Sequence, residues 1–189
     1  MSQMATGRVR WTVSDVELLA ADEWKRYEII DGELFVTRAP HWGHQNTAGN
    51  IHAELRMWSQ STGQGRTVPT PGIIFTEADS VIPDVVWISN DRLAVLLDEA
   101  GHLTGAPELV VEVLSPGAMN ERRDKEAKLK LYSVQGVQEY WIVDWRLQQM
   151  EIYRRDNAQL TLVTTLLAGD EITSPLLPDF RCPIQRFFA

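Results

Sequence analysis

Glu112 stands inside the run Leu109-Val110-Val111-Glu112-Val113-Leu114, apolar on both sides of it. A carboxylate in such a strand is costly to desolvate unless a cation or hydrogen-bond donor meets it, so the residue asks for a partner. A second carboxylate, Asp84, follows Pro83 at the head of another apolar run, Val85-Val86-Trp87-Ile88. If the two strands are neighbours, both side chains converge on one point, where two carboxylates cannot both stay ionised without a cation. Mg²⁺ suits such a site, with Mn²⁺ as a substitute, because it needs only one or two carboxylates beside water and substrate phosphate. Zinc does not fit, since His41, His44, His52, His102 and the single Cys182 lack ligand spacing. Each carboxylate also has a plain structural reading: Asp84 as a turn residue beside Pro83, and Glu112 as half of an ion pair with an arginine.

Asp124, Lys128 and Tyr132 follow at i, i+4 and i+8 on a charged helix, where Lys128 borders a stripe of Ala127, Leu131 and Val134. A lysine at that border can extend past the core to the strand ends. By spacing alone it can equally form a surface pair with Asp124 worth ~0.3 kcal/mol. Lys125 and Lys130 point elsewhere and read as solvated, and His44 reads as a helix-start residue. No Gly-rich phosphate loop, Gly-x-Ser-x-Gly elbow or Cys-His nucleophile pattern occurs.

These residues need a scaffold. Strand, helix and strand from Pro107 to Trp145 imply two parallel neighbours with a right-handed crossover. Upstream, Thr12 to Asp15 offers caps for a helix through about Trp24, and Tyr27 to Val36 around Asp31-Gly32 reads as a hairpin that puts Glu28 and Glu33 near its turn. Ala48, Ile51, Leu55 and Trp58 mark an amphipathic helix from His44 to about Ser61. Strands are expected at Gly72–Thr76 and Val81–Ile88, and a short helix over Asp91–Leu97. Antiparallel strands are expected at Met150–Tyr153 and Leu160–Leu167, and an irregular apolar wrap from Leu176 to Phe188. The fold class is therefore mixed α/β, with a flexible tail over residues 1–10 and one domain over 11–189.

Net charge is −8, which argues against sequence-blind coating of nucleic acid but not against an enzyme acting on it, because a bound cation reverses the local sign. No segment approaches the ~20 apolar residues of a membrane span, and one cysteine makes no internal disulfide, so a soluble cytoplasmic protein is expected.

Tyr27-Glu28-Ile29-Ile30-Asp31-Gly32-Glu33-Leu34, Pro83-Asp84-Val85, Pro107 through Pro116, Asp124 with Lys128 and Tyr132, and Gly136 through Asp144 together resemble the Uma-type family of restriction endonucleases. The resemblance runs from roughly Val13 to the C-terminus. It implies the PD-(D/E)XK nuclease superfamily, a restriction-endonuclease-like core with a mixed sheet of about four strands flanked by helices. It also implies that Asp84 and Glu112 bind metal and that Glu28 is an additional acidic residue, with Glu33 as the fallback. The superfamily's lysine usually lies two residues after the second carboxylate, where this chain has Leu114; the resemblance makes Lys128 its replacement from the following helix. A homodimer acting on DNA is implied as well.

The expected function is Mg²⁺-dependent hydrolysis of phosphodiester bonds in DNA. The alternatives are a nuclease-like fold kept for binding or regulation without turnover, and a metal-dependent hydrolase of a small phosphoester, which would show a closed pocket.

Overall fold

In a computed structural model, residues 9–19 and 25–189 are described. Residues 1–8 of the expected tail and the last part of the expected first helix lie outside them. Helix α1 (Val13–Leu18) begins among the expected cap residues, where Thr12 and Asp15 form a capping box, and passes into extended backbone at Leu19. It buries none of its residues, so packing does nothing to prolong it.

Strands β1 (Lys25–Ile30) and β2 (Glu33–Arg38) form the hairpin read from the sequence. Both turn residues have positive φ, 50° at Asp31 and 72° at Gly32, as the tight Asp-Gly hairpin turn requires. Helix α2 (Trp42–Thr62) follows, then β3 (Gly65–Pro69), β4 (Ile73–Thr76), β5 (Asp79–Val81) and β6 (Val85–Ser89). After α3 (Asn90–Leu96) come β7 (Leu109–Val113), α4 (Ala118–Arg122), a π-helical segment (Arg123–Lys128), α5 (Leu129–Gln135) and β8 (Glu139–Asp144). Gly136, with φ 93°, supplies the left-handed cap that ends this helix. The chain closes with β9 (Gln149–Asp156), β10 (Gln159–Leu167), β11 (Glu171–Ser174), β12 (Leu177–Pro183) and a 3₁₀ turn (Ile184–Phe187).

The central sheet has six strands in the order β10-β9-β8-β7-β6-β3, and β7 with β8 is its parallel pair, joined by the helical crossover. A smaller sheet runs β2-β1-β5-β4, and β11 pairs with β12. Three expectations need correction. The central sheet has an edge strand that was not expected, β3, whose inward residues, Gly65 and Thr67, give no apolar signal. The segment read as a wrap is half of a hairpin with Leu177, Phe180 and Cys182 buried at uneven spacing, which hid its period. The crossover helix contains a wider π turn, which propensity does not announce.

Two apolar cores flank the central sheet, one built with Ile51 and Leu55 of α2 and the C-terminal hairpin, the other with Leu131 and Tyr132 of α5. Alternation along β7 sends Val111 and Val113 to the first core and Val110 to the second. Glu112 therefore faces the crossover helix.

A candidate active site at the ends of β6 and β7

Strands β6 and β7 are antiparallel neighbours in the register Val85↔Val111, and one further step of that register sets Asp84 opposite Glu112. Asp84 precedes its strand, and its Oδ2 accepts the Val113 N–H at 2.8 Å and lies 3.2 Å from His44 Nε2. Glu112 Oε1 accepts from Lys128 Nζ at 2.8 Å and from the Tyr132 hydroxyl at 2.9 Å. Lys128 Nζ also lies 2.8 Å from Oε1 of Glu28, which takes the Ile82 N–H at 2.8 Å. Asp124 accepts two hydrogen bonds from Arg123, at 2.8 and 3.2 Å, and lies 3.9 Å from Lys128. The charged side chains of this group are all buried, Lys128 to 1% exposure, so the surface reading of the Asp124–Lys128 pair gives way to a buried cluster.

The π turn explains the convergence. Its backbone bonds close between residues five apart, so Arg123 and Lys128, five apart, come to one face. Both reach Glu28, Arg123 at 3.7 Å. Val134, expected in the apolar stripe, is instead 71% exposed, and Tyr132 is buried beside Leu131. Lys125, read as solvated, instead pairs with Glu151 at 2.6 Å. Glu33 sits at the hairpin turn and faces an outer groove with Arg122 and Lys130, outside the cluster.

Electrostatics follow from burial and partners. Burial opposes ionisation of Asp84, but His44, the Val113 N–H and Lys128 outweigh it and hold the carboxyl below its ordinary value. For Glu112, burial and the neighbouring acids Asp84, Asp124 and Glu28 outweigh Lys128, and the carboxyl is raised. Burial of Lys128 is overcome by Glu112, Glu28 and Asp124, which keep it protonated.

Glu28, Asp84, Glu112, Lys128, His44 and Arg123 line a cavity of about 40 Å³. That exceeds the ~10–15 Å³ that a single water needs. Four buried carboxylates face two buried full-time cations, Lys128 and Arg123. Among the described residues no hydrogen bond reaches Oε2 of Glu112, and Oδ1 of Asp84 has only Arg26 at 3.8 Å. The donor set thus fits a divalent cation in charge and chemistry. No three His, Cys, Asp or Glu side chains form a metal shell by themselves among the described residues, which Mg²⁺ does not require because it keeps several waters.

His44 is the residue that the sequence reading passed over. It is 4% exposed, and among the described residues nothing hydrogen-bonds its buried Nδ1. The signal was present: His44 lies four residues before Ala48, on the line of Ala48, Ile51 and Leu55, and so on the buried face of α2.

The sequence model of the family described as "Uma2: Putative restriction endonuclease" matches residues 13–185. A crystal structure from Anabaena variabilis, described as a putative nuclease, shares the fold with a TM-score of 0.73 and 17% identity, covering 94% of this chain and 97% of that one. No curated protein gives a significant match.

Proposed function

The chain belongs to the Uma2 family of restriction-endonuclease type, and on that premise we propose that it hydrolyses phosphodiester bonds of DNA with a divalent cation, Mg²⁺ or Mn²⁺. The observation that carries this reading is the convergence of Asp84, Glu112 and Lys128 on one cavity.

Asp84 and Glu112 would hold the cation through the oxygens that protein donors leave open. When bound there, such a cation polarises a phosphate oxygen and makes its water a stronger nucleophile. His44 and the Val113 N–H fix the orientation of Asp84, and Lys128 with Tyr132 fixes Glu112. Lys128 is held protonated, so it acts as a positive charge that offsets charge developing on the phosphoryl oxygens and not as a base. Glu28 anchors Lys128 from the opposite side. A homodimer would bring two such sites to one duplex.

One observation favours a second reading, a nuclease fold kept for binding without turnover: every buried carboxylate of the cluster already has a cation or donor from the protein. Incubation of supercoiled, linear and single-stranded DNA with Mg²⁺, Mn²⁺ or EDTA separates the two. Metal-dependent cutting supports hydrolysis; Mn²⁺ binding that needs Asp84 with no cutting of any substrate supports the second reading.

A further inference from the structure

The geometry points to Arg26 and Arg38, both on the β1–β2 hairpin, as the phosphate-binding rim of this cavity, holding non-bridging oxygens of a phosphodiester above the acidic floor. The inference rests on the nuclease reading for the identity of the anion.

Three observations carry it. First, position: Arg26 stands two residues before Glu28 on β1, so both side chains leave the same face of the strand. Thr37 is the cross-strand partner of Arg26, and Arg26, Thr37 and Arg38 all line the cavity whose buried floor is Glu28, Asp84, Glu112 and Lys128. The side chain of Arg26 is 32% exposed against 7% for Asp84, which puts the arginine at the mouth.

Second, unused donors. A guanidinium carries five N–H groups. Among the described residues the Arg26 guanidinium makes no hydrogen bond, only the 3.8 Å approach to Asp84, and the Arg38 guanidinium has neither a hydrogen bond nor an ion pair. The other arginine that lines the cavity, Arg123, is engaged with Asp124, and its neighbour Arg122 with Glu126.

Third, charge. The buried floor holds two more carboxylates than full-time cations, so a divalent ion balances it. Arg26 then loses its attraction to Asp84, and it and Arg38 remain as surplus positive charge at the opening. A phosphodiester brings the matching negative charge, and a guanidinium meets two phosphate oxygens in one plane, which lysine does not.

The test compares wild type with Arg26→Ala, Arg26→Lys, Arg38→Ala and the double alanine variant. It measures Mn²⁺ affinity by calorimetry, binding of a fluorescein-labelled oligodeoxynucleotide by anisotropy across salt concentrations, and Mn²⁺-dependent cleavage. Loss of Arg26 is expected to weaken oligonucleotide binding or raise KM about ten- to a hundredfold. Each arginine removed is expected to lower the salt slope by about one, with Arg26→Lys restoring the slope but not the full affinity. Mn²⁺ affinity should hold or rise, since a cation beside Asp84 is gone. Weaker Mn²⁺ binding in Arg26→Ala would make the arginine a support of the floor and overturn the proposal. Cutting and binding unchanged in the double variant would overturn it and leave hydrolysis standing. Binding that depends on both arginines in a wild type that never cuts would support the rim and sink the hydrolysis reading, and a wild type that neither binds nor cuts would sink both. Inhibition by inorganic phosphate as strong as that by the oligonucleotide would move the ligand from a polynucleotide to a small phosphoester and overturn the rim as a polynucleotide contact.

Discussion

Lys128 Nζ lies 2.8 Å from Oε1 of Glu112, and the same ammonium lies 2.8 Å from Oε1 of Glu28, so one buried cation joins the central sheet, the crossover helix and the N-terminal hairpin. Removing it leaves the Glu28 carboxylate without its ammonium and the Glu112 carboxyl without one of its two donors, both out of water. Lys128→Ala is therefore expected to cost about 3–5 kcal/mol of metal-free stability, the usual penalty for breaking a buried ion pair from one side. Urea denaturation with EDTA measures this. Adding Glu112→Gln to Lys128→Ala should recover part of the loss; a double variant weaker than the sum of the singles would contradict the pairing.

The raised Glu112 predicts how metal binding depends on pH. With its carboxyl pushed from 4.5 up to about 8, the metal-free protein keeps a proton on it at neutrality. Binding at that oxygen must expel the proton, so Mn²⁺ affinity should climb as pH rises toward about 8 and level off above it. Metal-free stability should move the opposite way. A carboxyl whose folded value is raised contributes stability that is present below 4.5 and lost as pH rises through about 8. Calorimetry in buffers of different ionisation enthalpy counts the released proton. Affinity independent of pH between those limits would show that Glu112 is not a ligand.

His44 acts through Asp84. Its Nε2 lies 3.2 Å from Asp84 Oδ2, and losing it leaves the Val113 N–H as the remaining close donor to that oxygen. His44→Ala should weaken Mn²⁺ binding by roughly ten- to a hundredfold, as loss of a group that orients a metal ligand typically does. His44→Gln, which keeps a donor, should recover part of it. Equal Mn²⁺ affinity in wild type and His44→Ala would remove the residue from the site.

Much of this arrangement is legible in the sequence. Asp84 and Glu112 were visible as charges set in apolar runs, and the Asp31-Gly32 turn fixed the hairpin that delivers Glu28. Their meeting depended on β6 and β7 being neighbours, a fact of pairing that no single strand carries. The place of Lys128 was harder, because α-helical spacing made it look like half of a surface pair with Asp124. The π turn brings Arg123 onto the face of Lys128 and buries all three residues, and nothing in Arg123 to Lys128 forecasts it. His44 could have been found by extending the apolar stripe of α2 one turn backward. The edge strand β3 and the hairpin of β11 and β12 lacked a clean alternation, so their residues read as loop or wrap.

The measurement that bears most directly on the whole account is cleavage of supercoiled DNA by wild type, Asp84→Asn, Glu112→Gln and Lys128→Ala, each in Mn²⁺ and in EDTA, with folding checked by circular dichroism. Wild type is expected to cut in Mn²⁺ alone, and each folded variant to lose about a hundredfold or more. Folded Glu112→Gln and Lys128→Ala proteins that cut as fast as wild type would place the chemistry elsewhere and contradict it.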